Sequence, residues 1–254
     1  MLAAALEAEV NHPTRPAPTV LGAQGPECHG RPAEDRTHAE NGTETGCREP
    51  HALLEWTAVE TYVETRRMRL RRFTEADVDD LAALHGHPDV MRRIDDGRPV
   101  PRVAVERQLA RFLAEYDGLP SDHGCFVAAE KSSGAFLGWL SLRPAASVGL
   151  TGGTELGYRV LPSVWGRGYA TEGARALVRH AFAELDVERI VATTMTVNAA
   201  SRRVMEKAGL SLVRTFFEQW PEPIEGAEHG DVEYAITRET WTRQHDHEQP
   251  VHRA

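Results

Sequence analysis

The stretch from Thr154 to Leu210 constrains the fold of this chain more than any other part of the sequence. Its pattern predicts a strand over 154–160, a glycine-containing turn, a long amphipathic helix, a second strand over 189–196 and a short helix that starts after Asn198. A strand, a helix and a strand in this order form a crossover unit, in which the two strands are parallel neighbours. The segment therefore predicts an α/β domain with a parallel pair inside its sheet.

Other segments add helices and mostly antiparallel strands around this unit. Further helices are predicted over 74–84 and 102–116, and further strands over 68–73, 125–131, 135–143, 211–217 and 231–237. Met68 and Leu70 alternate with arginines, which is typical of a half-buried strand at the edge of a sheet. Together these elements predict one α/β (α+β) domain with a mixed, mostly antiparallel twisted sheet and about four flanking helices.

The two ends of the chain differ from this pattern. Residues 1–61 are rich in proline and lack a sustained apolar period, so they bury too little surface to offset the entropy of ordering and are predicted to be disordered. The chain after Trp241 shows no period either, and residues 244–254 are predicted to form a frayed tail. The domain is therefore expected over 62–243. The first residues do not resemble a secretory signal, and no segment is apolar enough for a membrane span.

Charge and cysteine content limit the partners. The net charge of −9 argues against a nucleic-acid surface and favours small or cationic molecules as partners. Three cysteines without disulfide spacing fit a reducing cytoplasm. A zinc site from Cys28, His29, Cys47 and His51 matches no common ligand spacing, so no metal is predicted. The sequence leaves the choice between monomer and homodimer open.

The turn Trp165-Gly166-Arg167-Gly168-Tyr169-Ala170 carries the first functional signal. It lies where a strand leads into a helix, and the free N–H groups at a helix start can converge on a phosphate. The turn lacks the Gly-Lys-Ser/Thr ending of a P-loop, and it lacks the third glycine and the acidic residue of a dinucleotide fold. An ordinary surface turn is the remaining alternative. The helix and strand that follow favour a pyrophosphate-binding turn.

Two motifs resemble those of the GNAT superfamily of N-acetyltransferases, in the branch related to the ribosomal-protein-alanine and serine N-acetyltransferases. The turn fits the family's coenzyme A pattern Gln/Arg-x-x-Gly-x-Gly/Ala, except that Trp165 stands in the first position. The segment 198–210 matches the Asn-x-x-Ala/Ser helix that lies along pantetheine in family members, with Ser201 in the fourth position. The resemblance extends from about Val63 to Trp241 and implies acetyl-CoA as co-substrate.

The resemblance also implies which residues bind the cofactor. They are Tyr158, Arg159, Val160, Trp165, Gly166, Arg167, Gly168, Tyr169, Ala170, Thr171, Asn198 and Ser201. The strand residues among them would contribute main-chain contacts. Asn198 is either a pantetheine ligand or only the N-cap of its helix, and the two roles can coexist. A bulge at Gly157 would splay the strand from its neighbour, whereas close packing against a helix is the alternative for this glycine.

Catalytic candidates are fewer. Glu155 lies on the strand whose far end reaches the acetyl group in this family, and it is the candidate base, directly or through water; an outward-facing strand glutamate is its alternative. Many members carry a tyrosine seven residues beyond the asparagine as general acid, where this chain has Met205. Ser201 is the candidate to assist protonation of the departing sulfur, although a thiolate can leave without a dedicated acid.

The resemblance implies transfer of an acetyl group to a primary amine, on a protein N-terminus or a small molecule, by direct attack in a ternary complex. A non-catalytic acyl-CoA sensor of the same fold is the alternative, because Met205 replaces the usual acid. The loop with Asp95 and Asp96 and the loop over 218–230 flank the acceptor side in the family, and their acidic residues are hypothesised to attract a cationic amine. Phe217 and Trp220 are candidates for specificity.

Overall fold

The computed structural model describes residues 60–118, 122–217 and 224–246. Their strands form one sheet in the order β1-β2-β3-β4-β5-β6-β8-β7. The strands are β1 (Thr61–Glu64), β2 (Met68–Arg72), β3 (Gly124–Glu130), β4 (Phe136–Pro144), β5 (Thr154–Val160), β6 (Arg189–Met195), β7 (Ser211–Phe216) and β8 (Asp231–Thr237). The helices are α1 (Val78–His85), α2 (Pro88–Met91), α3 (Arg102–Gly118), α4 (Tyr169–Ala183), α5 (Ala199–Lys207) and α6 (Arg238–Asp246).

The sheet separates at its one parallel pair, β5 and β6. Strand β5 pairs with β4 along its whole length, from Thr154 to Val160, without a register shift. With β6 it pairs only at Thr154 and Glu155. Beyond Glu155 the two strands therefore diverge and leave a cleft between them. The predicted mixed sheet with a splayed central parallel pair is confirmed.

The two faces of the sheet carry separate cores, because successive strand residues point to opposite faces. Leu140 of β4 and Leu156 of β5 belong to the core that contains the apolar stripe of α4. The neighbouring Trp139 belongs to the core under α1 and α3, where it packs near Phe112. Helix α4 thus covers one face of the sheet and α1 to α3 cover the other, and the cleft between β5 and β6 lies between these two layers.

The edge of the sheet differs from the prediction. Strand β1 pairs antiparallel with β2, so β2 is the second strand and its Met68 and Leu70 are fully buried. The Tyr62 ring of β1 stacks on Phe126 with ring centroids 3.8 Å apart. The prediction of an edge strand over 68–73 is therefore wrong. Four residues are too few to show a period in the sequence, whereas aromatic stacking fixes them in the fold.

The C-terminal end and one connection also differ from the prediction. Helix α6 continues to Asp246, beyond the point at which the chain was expected to fray. The ring centroids of Trp241 and Phe182 are 5.5 Å apart, and the Arg238 guanidinium donates to the Phe182 carbonyl at 2.6 Å. These contacts hold a helix that has few apolar residues. Helix α2 is the other unpredicted helix. The predicted disorder of 1–61 falls almost entirely outside the described residues, as does the chain after 246.

Candidate active site

The turn after β5 presents free backbone donors. Gly166 and Gly168 adopt left-handed φ angles of 72° and 81°, a conformation that other residues rarely adopt, and Gly168 is the N-cap of α4. The N–H groups of Tyr169, Ala170 and Thr171, in the first helical turn, have no acceptor within the described residues. A Cβ added at Gly166 would meet open space. The turn can therefore receive an anion such as a pyrophosphate on main-chain donors.

Arg67, just before β2, holds this turn through direct contacts. Its Nε donates to the Glu172 carboxylate at 2.7 Å, its Nη1 donates to the Arg167 carbonyl at 3.0 Å, and its guanidinium lies 4.0 Å from the Tyr169 ring centroid. Burial alone would raise the pKa of Glu172, but the hydrogen bonds from Arg67 and Thr65 lower it. Sequence reasoning missed Arg67, because the ion pair joins residues about one hundred positions apart.

Trp165 stands where the family pattern has Gln or Arg. Its indole N–H donates to the Val160 carbonyl at 2.8 Å, and the residue is 47% exposed. The side chain therefore ties the turn to the end of β5 and leaves no indole donor for a phosphate. Arg167, the other cation expected here, lies with its guanidinium 5.3 Å from the Tyr169 ring centroid.

A cavity of about 450 Å³ borders the turn and continues along β5 and α5. All of the sequence-predicted cofactor residues except Arg167 line it: Tyr158, Arg159, Val160, Trp165, Gly166, Gly168, Tyr169, Ala170, Thr171, Asn198 and Ser201. Arg203 and Lys207 also line it from one face of α5, four residues apart. Sequence reasoning did not select these two cations, although their spacing placed them on the face that begins at Asn198. This cleft is the candidate site for coenzyme A.

A second cavity of about 170 Å³ meets the first at β5. Both are lined by Tyr158, Arg159, Asn198 and Ser201. The second cavity alone is lined by Glu155, and it reaches into the opening between β5 and β6. We call it the acceptor cavity, because it is lined by Asp95, on the loop that the family resemblance assigns to the acceptor side.

Asn198 and Ser201 begin helix α5. The Asn198 Oδ1 accepts from the Ser201 N–H at 3.3 Å, so the N-cap role is present, and its Nδ2 donates to Thr194 Oγ1 at 3.1 Å. The Tyr158 hydroxyl lies 2.9 Å from Ser201 Oγ and donates to the Ser201 carbonyl at 2.9 Å. Burial raises the pKa of Tyr158, so its hydroxyl keeps its proton. The sequence had implied only main-chain contacts for Tyr158, and this hydroxyl is a new polar group in the cleft.

Glu155 is not an outward-facing glutamate. Its side chain is 14% exposed, and its carboxylate lies 3.4 Å from both Ser141 Oγ and the Arg143 guanidinium. Gly157 makes this arrangement possible, because a Cβ there would lie 2.4 Å from Ser141 Oγ and 2.9 Å from the Glu155 carboxylate. Neither sequence interpretation of Gly157 holds: β5 pairs with β4 without a bulge, and the glycine faces these polar groups instead of a helix.

Two buried arginines share this face of the sheet with Glu155. Arg143 and Arg159 line the acceptor cavity and are 4% and 7% exposed. The Arg159 guanidinium lies 5.4 Å from the Trp139 ring centroid and 3.5 Å from the Met91 sulfur. Burial lowers the pKa of Arg159 to about 10, partly offset by the charge of Asp95. Arg159 had been expected to act through its main chain only, and Arg143 had not been selected.

The acidic loops contribute less than expected. Asp95, with a left-handed φ of 54°, lines the acceptor cavity, whereas Asp96 is exposed and accepts from the Arg98 N–H at 3.0 Å. Glu225 and Glu228 are exposed, and neither lines the acceptor cavity. Phe217 is exposed as well. Glu218, Trp220 and Glu222 lie outside the described residues.

The described residues contain neither a metal-binding cluster nor a helix that could span a membrane. Among them, no group of three or more His, Cys, Asp or Glu residues is placed to hold a metal ion. The zinc candidate of Cys28, His29, Cys47 and His51 lies outside them. Within the same residues, every helix is too short or too polar to cross a bilayer.

Comparison with known proteins identifies the family. Residues 67–211 match the acetyltransferase (GNAT) domain. The chain is 40% identical over 164 residues to the FsC-acetyl coenzyme A-N(2)-transacetylase of Aspergillus fumigatus, covering 61% of this chain and 67% of the relative. A GNAT-family acetyltransferase structure from Bacillus anthracis superimposes with a TM-score of 0.58 at 24% identity, covering 70% of this chain and 98% of that one.

The ribosomal-protein acetyltransferase RimL, solved with coenzyme A, superimposes with a TM-score of 0.57 at 18% identity, covering 70% of this chain and 98% of RimL. At these identities the two structural comparisons speak for the fold, and the domain match covers more than half of the chain. The chain belongs to the GNAT family and is an acetyltransferase that uses acetyl-CoA.

Proposed function

We propose that the protein transfers the acetyl group of acetyl-CoA to a primary amine by direct attack in a ternary complex. The observation that carries the proposal is that the two cavities share Tyr158 and Arg159 of β5 and Asn198 and Ser201 at the start of α5 as lining residues. A thioester held in the larger cavity and an amine held in the smaller one come together beside this strand. No covalent enzyme intermediate is needed, because proximity itself lowers the barrier.

The cofactor residues fit acetyl-CoA. The free N–H groups of Tyr169, Ala170 and Thr171 suit the pyrophosphate, and the left-handed glycines allow close approach of the backbone. Arg203 and Lys207 add positive charge along the same cleft. When bound, acetyl-CoA supplies the thioester carbonyl that the amine attacks.

Glu155 is the proposed base. It borders the acceptor cavity, and its position between Ser141 and Arg143 fixes its side chain. The amine nitrogen attacks the carbonyl carbon, the carbon–sulfur bond breaks, and the coenzyme A thiolate leaves. Glu155 accepts the proton that the amine loses, directly or through a water molecule. The products are the N-acetylated acceptor and coenzyme A.

The leaving thiolate needs little help from an acid. Burial raises the pKa of the Tyr158 hydroxyl above that of an ordinary tyrosine, whereas a free thiol has a pKa of about 8.5. Net proton transfer from Tyr158 to the sulfur is therefore uphill, and we assign Tyr158 and Ser201 the role of hydrogen-bond donors. Met205, at the family's tyrosine position, is buried in the core against α4.

A small-molecule amine is the favoured acceptor. The relative at 40% identity is named for transfer to a nitrogen of FsC, and it matches this chain more closely than the protein-acetylating RimL. The narrow acceptor cavity agrees with this assignment. We place the enzyme in the cytoplasm, which fits the free, buried thiol of Cys125.

The experiment is a turnover assay on the full chain with acetyl-CoA and a panel of amines, in which thiol release and product mass are recorded. We expect thiol release only when an acetylated amine forms. Saturable acetyl-CoA binding without turnover on any amine would instead support the sensor function. Stoichiometric acetylation of the enzyme before amine is added would contradict direct attack.

A further inference from the structure

The acceptor cavity is electrically balanced, which does not suit a polycation. Its charged lining consists of three arginines and three carboxylates: Arg93, Arg143, Arg159, Asp95, Glu155 and Asp231. A cavity that selected a polyamine would carry an excess of carboxylates, because each ammonium group needs a counter-charge when it leaves water. The balance of charges therefore does not favour a polycation as acceptor.

Arg143 is nearly buried and weakly paired. Its guanidinium contacts Glu155 at 3.4 Å, longer than the roughly 2.7–2.9 Å of a strong charge-assisted hydrogen bond. Its Nε has no hydrogen-bond partner among the described residues. A buried guanidinium that is held so loosely retains donor capacity for a further anion.

Arg159 has even less pairing. Among the described residues, no carboxylate lies within 4.0 Å of its guanidinium, and its contacts are the Met91 sulfur and the Trp139 ring. A buried guanidinium without a close ion pair carries a desolvation cost, which the charge of Asp95 offsets only in part and a bound anion would offset further. With a pKa of about 10 it stays charged at neutral pH.

The two arginines lie on the same face of neighbouring strands. In the β4–β5 register, Arg143 pairs with Glu155 and Arg159 pairs with Trp139. Gly157 lies between Glu155 and Arg159 and contributes no side chain. The proposed base and the two guanidinium groups therefore border one cavity, with the base next to Arg143.

We infer that the acceptor is a small amine that also carries a carboxylate, and that Arg143 and Arg159 bind this carboxylate while the amine faces Glu155. The inference rests on the proposed function and names its substrate class. The cavity of about 170 Å³ is close to the roughly 150 Å³ that holds a benzene molecule, so it fits an amino-acid-sized group. A polyamine has no carboxylate, and the N-terminal residue of a protein has no free carboxylate beside its amine.

The first test compares matched acceptors on the unmodified full chain. The panel contains free amino acids, the same amino acids as carboxamides, spermidine and a peptide with a free N-terminus. We expect kcat/KM for the best amino acid to exceed that of its carboxamide by at least about 100-fold, because the guanidinium groups are left without an anion. Equal or faster acetylation of carboxamides, spermidine or the peptide overturns the inference and leaves the proposed function standing. No acetylation of any amine overturns the proposed function itself.

The second test uses Arg159→Gln, with Arg69→Gln as the control for removal of an exposed arginine on β2. We expect Arg159→Gln to lower the ratio of kcat/KM for the amino acid to kcat/KM for its carboxamide by about 30-fold or more. Arg143→Lys, which keeps the charge beside Glu155, should reduce the same preference. An equal loss for both acceptors would show that the arginines are structural and would overturn the inference.

Discussion

The cofactor cleft and the acceptor cavity are built in different ways. At the proposed cofactor end the available donors are main-chain N–H groups of an open turn, and the nearby side chains of Trp165 and Arg167 contact the protein itself. In the acceptor cavity the polar groups are buried side chains of Arg143, Glu155 and Arg159. A site made of backbone should tolerate a change of side chain, such as Trp165 in place of the family's Gln or Arg. A site made of buried charges does not, because each charge depends on its neighbours.

Among the variants that test this difference, Glu155→Gln should have the largest effect on activity. The change removes the proposed base, so we expect kcat to fall by about 10²–10⁴-fold with little change in the acetyl-CoA Kd. Steady-state kinetics and calorimetry measure the two quantities. A fall in kcat of less than threefold would leave Glu155 as only the ionic partner of Arg143.

Gly168→Val should weaken the binding of acetyl-CoA at the turn before α4. A valine at a φ of 81° is strained, and relief of this strain would move the main-chain donors of the turn, so we expect acetyl-CoA to bind at least about 100-fold more weakly. The matched control is Gly134→Val, since Gly134 has a φ of 73° but lies in the turn between β3 and β4. An unchanged thermal shift with acetyl-CoA for Gly168→Val would refute the pyrophosphate assignment.

Acid should destabilise the protein through His85 of α1, on the face of the sheet that α1 to α3 cover. His85 is fully buried and accepts from the Trp139 indole at 3.1 Å; burial and then the charge of Arg159 lower its pKa to about 3. The unfolded chain binds this proton below about pH 6.5 and the folded protein does not. The contribution of neutral His85 to the free energy of unfolding is therefore fully present above about pH 6.5. It decreases as the pH falls toward 3, by up to about 1.4 kcal/mol per pH unit.

Urea unfolding at pH 7.0 and pH 5.5 measures this dependence. Between pH 7.0 and pH 5.5, we expect the free energy of unfolding to fall by about 1 kcal/mol less in His85→Gln than in the unmodified protein. Burial also lowers the pKa of His123 and His180, and the difference between the two proteins isolates His85. Equal losses would show that His85 is not held neutral.

The smallest effect should come from Tyr158→Phe. The change removes one hydroxyl that bonds to Ser201, so we expect kcat to fall less than about tenfold and the acetyl-CoA Kd to change less than about threefold. Steady-state kinetics with saturating acetyl-CoA measures this. A loss of more than 100-fold would instead identify Tyr158 as the general acid.

The sequence predicted the backbone-made parts well. The period of β5 and of α4 and the glycine spacing between them are local, and the structure confirms the strand, the helix and the splayed parallel pair. Asn198 was predicted as an N-cap from its own neighbourhood, and its Oδ1 accepts the expected N–H. Such features depend on residues a few positions apart, which a single sequence displays.

The side-chain cluster could not be predicted in the same way. Arg143 and Glu155 are twelve positions apart, and only the β4–β5 register brings them together. Arg159 reads as one more polar residue until the fold buries it against Trp139. Gly157 was interpreted through a bulge or a helix contact, whereas its neighbours are two polar side chains. The pairing of strands across the sheet determines these contacts, and the local hydrophobic periodicity of the sequence does not indicate that pairing.

The contrast between backbone and side chain is tested most directly by titrating acetyl-CoA calorimetrically into two variants of adjacent residues, Arg167→Ala and Gly168→Val. The first removes a charged side chain and leaves the main chain free, so its Kd should stay within about threefold of the unmodified protein. The second strains the main chain that carries the donors, so its Kd should rise at least about 100-fold. A large loss in Arg167→Ala with near-normal binding in Gly168→Val would contradict a cofactor site made of backbone.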